Sequence, residues 1–365
     1  MINIFEQFFG LKAKRALSKN YLGIDIGTVS IKAVETNSLY NKPNVVNYGI
    51  IESSGYLDRP NGMIQTSSLN IVNSDAPEML KALVSQMGTK TKDVVATIPS
   101  FTAFASIVDM PVMNAVETAQ AIPYQARSLV PLPISDVTID WAPIGQFEDS
   151  SGTKKQRVFL VSVPNEQINA HKAIFKKAGL NLNMLEVEGM SLARSLTYNS
   201  AEDALIIDIG AFASTIAVAG GGSLKYSSQT DFASNSLTQA LAKGLGVNVR
   251  RAEALKKQRG LSGMMGEYGI STLMMPFIDV ILNEARKAKG VFEEGGGVVT
   301  KLILSGGGGG MQALTDYVGK QFNLPAEVAD PWKAVSYPPQ FAPLFQSISS
   351  QFSIAVGAGM KPFIK

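Results

Sequence analysis

Two stretches of this 365-residue chain repeat one pattern. In YLGIDIGTVSIKAVE, residues 21–35, Leu22, Ile24 and Ile26 alternate with Gly23 and Asp25, and Ser30, Lys32 and Val34 alternate with Ile31, Ala33 and Glu35. Period-two alternation on both sides of Gly27-Thr28 predicts a β-hairpin with its polar residues at the turn. ALIIDIGAFASTIAVAGGGSLKYSSQT, opening at Ala204, repeats the order: an apolar strand ending in Asp-Ile-Gly, then hydroxyls at Ser214 and Thr215, then two more strands. A third strand follows the first hairpin too, at residues 45–51. The duplication predicts two similar lobes facing one another, a tighter constraint than either copy supplies.

The bulk numbers exclude several classes. The chain is long enough for two cores. Lys+Arg 33 against Asp+Glu 30 leaves +3, too small a surplus to argue for nucleic acid. The absence of cysteine rules out disulfides and thiolate chemistry, and fits a reducing compartment. One histidine, His171, excludes histidine-rich metal sites, and its lysine-flanked helical run reads as a surface position. The most apolar run contains Asp208 and several glycines, so it fails the test for a membrane span. At the N-terminus Ile2, Ile4, Phe5, Phe8, Phe9 and Leu11 precede Lys12, Lys14, Arg15 and Lys19, the reverse of a secretory signal. That segment reads either as an amphipathic foot on a membrane or partner, or as a terminus folded against the body.

Along the chain the expected units are residues 1–19, amphipathic or flexible; 20–99, the first lobe; 100–182, a small inserted α+β subdomain; 183–345, the second lobe with a helical insertion at about 232–298; and 346–365, a helix returning to the first lobe. SDAPEMLKALVSQMG predicts a helix capped by Ser74 or Asp75 with Pro77 in its first turn. VMNAVETAQAIPYQARSLVP predicts a helix interrupted near Pro123. TKLILSGGGGGMQALTDYVGKQF sets five glycines, Gly306 to Gly310, flush between an apolar strand and a helix, which is not linker texture. Side chains are absent there so that a ligand can approach the backbone at a helix N-terminus.

Together the three turns ask for a nucleotide. Backbone amides and hydroxyls cradle phosphates, and Lys32 adds a point charge. Asp25 and Asp208, each just before a turn, suit a hydrated magnesium ion, which takes few direct carboxylates. The glycine junction would receive the flat nucleoside end.

DIGTVSIK resembles the first phosphate motif of the actin/Hsp-type ATPase superfamily, DIGAFAST the second and LILSGGGGG the adenosine motif. The place of the inserted subdomain resembles the FtsA and PilM branch. VVATIPSFTAFASIVDMPVMNAVETAQAIPYQARSLVPLPISDVTIDWAPIG is similar to the PilM family of type IV pilus assembly, in its strand ends Ile-Pro and Met-Pro, its helix, its proline pair and its Asp-Trp strand. NMLEVEGMSLARSL resembles that family's connecting helix, and the similarity runs from Tyr21 over nearly the whole chain.

The resemblance implies an α/β, actin-like (ribonuclease H-like) duplicated two-lobe fold that binds ATP and Mg2+. Carried over by position, Gly27, Thr28, Val29, Ser30 and Lys32 would meet the phosphates, and Asp25 and Asp208 would hold the metal through water. Gly210, Ala211 and Ser214 would form the second clamp, Glu253 and Lys256 would line the ribose and adenine pocket, and Gly306, Gly307 and Gly308 the adenosine loop. Two departures stand out: Phe212-Ala213 in the second turn, where the family usually carries small or hydroxylated residues, and Ala233-Ser234 before a helix, where it commonly shows a glycine pair. The resemblance further implies a cytoplasmic scaffold at the inner face of the membrane, peripherally associated, which takes the N-terminal tail of a PilN-like single-pass protein beside the inserted subdomain. Turnover would be slow, because no motif marks a water-activating residue. A small-molecule kinase and an FtsA-like filament-forming division protein are the alternatives, and homo-oligomer formation stays open. A kinase needs a polar substrate pocket, which the mostly apolar insertion does not predict. The FtsA branch usually carries a C-terminal amphipathic helix, whereas FSIAVGAGMKPFIK reads as a core helix.

Overall fold

The computed structural model describes residues 19–53, 68–149, 151–262 and 270–364. The N-terminal foot at 1–18 and the irregular excursion at 54–67 lie outside the described residues. The first half runs β1 (Tyr21–Ile26), β2 (Ser30–Leu39), β3 (Lys42–Glu52), α1 (Ser68–Met87), β4 (Asp93–Ile98), β5 (Phe104–Pro111), α2 (Ala115–Leu129), β6 (Val137–Glu148), β7 (Lys154–Pro164), α3 (Asn165–Lys177), β8 (Asn181–Val187) and α4 (Glu188–Thr197). The second runs β9 (Asp203–Ile209), β10 (Ser214–Gly220), β11 (Ser223–Thr230), α5 (Ser234–Leu245), α6 (Val249–Arg259), α7 (Ile270–Glu294), β12 (Val299–Ser305), α8 (Gly306–Gly309), α9 (Leu314–Phe322), β13 (Ala326–Val328), α10 (Ala342–Ile348) and α11 (Ser353–Met360).

The duplication is visible in the sheets. One has the order β3-β2-β1-β4-β8, the other β11-β10-β9-β12-β13. In each, the first strand pairs antiparallel with the hairpin strand after it and parallel with the fourth. Strands buried on both faces supply the cores, which is why β1, β4, β9 and β12 are near-continuous apolar runs. Leu22, Ile24, Val94 and Ala96 anchor the first, and Leu205, Ile207, Leu302 and Leu304 the second. Each Leu or Ile buried in this way stabilises the fold by about 1.5–3 kcal/mol.

The segment between β4 and β8 forms a three-stranded sheet, β5-β7-β6, covered by α2. Arg157 on β7 pairs with Asp109 at 2.7 and 2.8 Å, and its Nη1 also donates to the Gly295 carbonyl at 3.0 Å, just past α7. The small sheet is thereby tied to the second lobe. α3 packs elsewhere, its Ile174 and Phe175 entering the first-lobe core. The chain then closes on itself. α11 lies so near β1 that a Cβ on Gly23 would sit 2.3 Å from the Ala355 carbonyl oxygen, so only glycine fits there. Trp332 and Phe345 stack at 3.7 Å beside Val34 and Val45 at the back of the first sheet.

Three local expectations need correction. α1 begins at Ser68, not at Ser74 or Asp75, and Pro77 lies inside it. Burial of Ala76, Leu80 and Leu83 holds the helix together across the missing amide. α2 runs unbroken through Pro123, whose ring is on the exposed side, where the carbonyl it leaves unbonded can meet water. His171 is not a surface residue: it is 4% exposed, its Nδ1 lies 2.8 Å from the Gln167 carbonyl oxygen, and burial pushes its pKa down. It takes no part in the cleft described next.

Candidate functional site

The carboxyl ends of β1, β4, β8, β9 and β12 converge on one cleft between the lobes, where ligands of open parallel sheets bind. Fourteen of the fifteen residues singled out from the sequence line it. Asp25, Gly27, Thr28, Val29, Ser30 and Lys32 come from the first hairpin, and Asp208, Gly210 and Ala211 from the second. Glu253 and Lys256 come from α6, and Gly306, Gly307 and Gly308 from the strand–helix junction.

The two turns are built alike. Gly27 N donates to the Ser30 carbonyl at 3.0 Å, and Gly210 N to that of Ala213 at 3.1 Å. The registers also match: Asp25 is opposite Lys32, and Asp208 opposite Thr215. This equivalence explains the exception. Ser214 corresponds to Ile31, whose side chain points away from the cleft because strand residues alternate. Ser214 is fully buried and donates to the Phe232 carbonyl at 2.7 Å, while Thr215 faces the cleft. The Phe212 departure likewise turns inward as a buried residue, leaving Ala213 on the wall. At the other departure, Ser234 N and Asn235 N donate to the Gly210 and Ala211 carbonyls, which ties the start of α5 to the second turn.

The floor is acidic. Lys32 Nζ lies 3.2 Å from Asp25 Oδ2, and Asp25 Oδ1 is buried without a hydrogen-bond partner. Burial and the Asp25 charge push Asp208 up to about 6, against a Ser305 hydrogen bond that lowers it. Glu188, the first residue of α4, is pushed well above the usual carboxyl range by burial and by the charges of Asp25 and Asp208. Its Oε2 accepts from Ser100 N at 3.2 Å. Two buried carboxyls and a partly buried third beside Lys32 form a setting that favours a cation. No three such side chains among the described residues are grouped for direct ligation; the buried, unpartnered Asp25 Oδ1 is an acceptor that fits a water of a hydrated magnesium ion.

Sequence reasoning missed Glu188. Its signal was available: EVEG puts a carboxyl directly after a strand that is parallel to β4, so it emerges at the same edge as Pro99.

At the other end of the cleft the charged side chains are paired. Lys256 Nζ bonds Glu253 Oε2 at 2.7 Å, Ser234 Oγ at 2.6 Å and Thr238 Oγ1 at 2.8 Å. Burial alone would raise the Glu253 carboxyl, but Lys256 holds it below its usual range. Beside this pair, Gly306 has φ +81°, and a Cβ there would sit 2.4 Å from the Ile209 carbonyl oxygen. A Cβ on Gly307 meets nothing within 4 Å, so its bare backbone forms open cleft wall. The arrangement accommodates a flat group at the glycine junction and an anion with its metal between the turns.

The sequence profile of a family described as type IV pilus assembly protein PilM matches residues 23–363. The chain belongs to the PilM family. Among solved structures it resembles a chain of the PilM-PilN type IV pilus biogenesis complex, with a TM-score of 0.78, 20% identity, and coverage of 96% of this chain and 100% of that one. It also resembles ethanolamine utilization protein EutJ from Carboxydothermus hydrogenoformans (TM-score 0.55, 14% identity, 95% and 91% covered). MreB5 of Spiroplasma citri bound to AMPPNP is similar at 0.51, with 15% identity and 93% and 94% covered. At these identities the likenesses establish a shared actin-like fold. Cell division protein FtsA of Enterococcus faecalis (strain ATCC 700802 / V583) is a distant relative, 24% identical over 265 residues. That match takes in 66% of this chain and 58% of the FtsA sequence, so the chain spans little more than half of the curated relative.

Proposed function

We propose that the chain is an ATP-binding, actin-like scaffold of type IV pilus assembly, working at the cytoplasmic face of the inner membrane. The carrying observation is that two Asp-Ile-Gly turns of matching register, one from each sheet, and the Gly306–Gly308 backbone line one cleft. In this reading the first turn and Lys32 hold the phosphates, with Gly210, Ala211 and Thr215 opposite. Asp25 and Asp208 hold magnesium through its waters, and Gly306 to Gly308 receive the base near Glu253 and Lys256. The metal would neutralise phosphate charge between the carboxyls. A ligand touching both lobes favours their closed arrangement by its differential affinity. Glu188 is the carboxyl best placed to orient a water, but burial and the charges of Asp25 and Asp208 favour its protonated form, which cannot accept a proton from that water, and this fits slow turnover.

The partner in this reading is the N-terminal cytoplasmic tail of a PilN-like inner-membrane protein, bound beside the β5-β7-β6 sheet. The fold shared with a chain of the PilM-PilN complex supports it. So do Val116 and Tyr124, exposed on α2.

Isothermal titration with ATP, with and without magnesium, tests the nucleotide half. Magnesium-dependent binding that Asp208→Ala weakens without unfolding is expected; equal affinity in both proteins would defeat the assignment. Fluorescence anisotropy of a labelled PilN-like tail peptide tests the partner half, and no saturable binding in either nucleotide state would reject it.

A further inference from the structure

The edge of the first sheet opposite the cleft gathers lysines from separate segments. β1, β4 and β8 run parallel, so their amino ends meet at one edge, with Leu22 beside Val94 and Asp93 beside Asn181. The residues entering these strands are Lys19, then Lys90 and Lys92, then Lys176 and Lys177, all exposed. Asn181 N donates to the Lys92 carbonyl and Thr91 Oγ1 to the Asn20 carbonyl, both at 2.8 Å, which holds the three approaches side by side. Lys19 pairs with Asp93. The other four add positive charge to one edge of a chain whose formal charge is only +3.

The β2–β3 hairpin outruns β1 at this edge. Tyr21 is opposite Thr36, so the three residues from Asn37 to Leu39 project beyond it by about 10 Å. Leu39 pairs with Lys42 across a two-residue turn, Tyr40-Asn41, with φ of 51° and 62°. Such turns favour glycine, asparagine or aspartate, so a tyrosine at the first position carries a local cost. Yet Tyr40 is 91% exposed and Leu39 44%, next to exposed Lys42. The chain enters the edge at Lys19 from a segment whose sequence holds Phe5, Phe8 and Phe9 followed by Lys12, Lys14 and Arg15.

We propose that this edge docks on an anionic lipid surface, with Tyr40 and Leu39 at the headgroup boundary and Lys42, Lys90, Lys92 and Lys177 against the phosphates. Amphipathic aromatic side chains partition to that depth, and clustered lysines are attracted within a Debye length of an anionic leaflet. The cleft, at the opposite edge, then faces away from the membrane and stays open to nucleotide. This goes beyond the proposed function, in which the membrane is reached through a partner, and does not depend on nucleotide binding.

Co-sedimentation of the full chain with phosphatidylcholine vesicles, with or without phosphatidylglycerol, tests it. Binding is expected only to the anionic vesicles, falling steeply with added salt. Combined Lys90→Glu, Lys92→Glu and Lys177→Glu should weaken it by about a hundredfold, the size expected for three such lysines. Lys243→Glu, Lys287→Glu and Lys320→Glu, the same charge change on the second lobe, should leave most of it. Tyr40→Ser should reduce binding at high salt more than at low salt, with an unchanged circular dichroism spectrum. Equal losses in the two triple variants would overturn the proposal. So would retention on heparin without vesicle binding, which points to a different polyanion, or equal binding to neutral vesicles.

Discussion

Lys32 and Asp25 face each other across β1 and β2, their side chains 3.2 Å apart, while the same register position in the second lobe pairs Asp208 with Thr215. At this register position the first lobe carries a cation and the second a hydroxyl. Asp25, Asp208 and Glu188 share that cation. In the proposed reading a magnesium ion would supply the further positive charge that these carboxyls and a phosphate chain require.

Replacing Lys32 with methionine should cost magnesium-ATP affinity about 10- to 100-fold, the worth of one charged hydrogen bond. The melting temperature should fall as well, because buried Asp25 loses its ion-pair partner. Calorimetric titration and thermal melts of the same preparations check both halves.

The glycine junction separates binding from folding. Gly307→Leu places a side chain into open cleft wall, so ATP affinity should collapse with Tm unchanged. Gly306→Ala meets the Ile209 carbonyl at a left-handed φ and should destabilise the fold by about 1–3 kcal/mol. Denaturant titrations set beside ATP titrations distinguish the two outcomes.

Behind the cleft, Glu186 is fully buried between Arg194, at 2.5 and 2.9 Å, and Lys361, at 2.9 Å. Arg194→Met leaves that carboxylate under-compensated and should cost about 3–5 kcal/mol. Burial alone would raise Glu186, but Arg194 and Lys361 bring it down to about 2 from 4.5. Its contribution is thus present above the ordinary glutamate range and lost as pH falls toward 2. Urea midpoints across acid pH should show the variant lacking most of that loss.

Asp140 has the opposite sign. Burial raises it from 3.8 to about 7, against the Trp141 amide and Lys361, so the folded chain takes up a proton in that window. Stability from this group falls as pH rises through it. Asp140→Asn should therefore gain on the parent protein at about pH 8 relative to about pH 5. A pH-independent difference between the two melting curves would rule out this origin.

The Arg157 strap links the small sheet to the second lobe. Arg157→Ala should speed amide hydrogen exchange in β5 and around Gly295, with global stability reduced by no more than about 1.5–3 kcal/mol. Unchanged exchange in both places would show that the strap carries no coupling.

What the sequence determined by itself was local and periodic. Alternation fixed the hairpins, the Asp-Ile-Gly turns followed from residues within a few positions of each other, and their duplication required two matching sheets. Such features depend on short-range sterics, whereas positions such as Glu253 and Lys256 came only from the family resemblance; fourteen of the fifteen positions named from the sequence line one cleft. Facing and assembly came from contacts between segments distant in sequence. Strand pairing set Thr215 in the cleft and Ser214 out of it, because a shift of one residue reverses the side of a sheet. Parallel stacking brought Glu188 to the acidic floor and collected lysines from residues 90 to 177 on the far edge. Core packing carried α1 and α2 through prolines that local rules treat as boundaries, since burial of one apolar face outweighs a single missing amide.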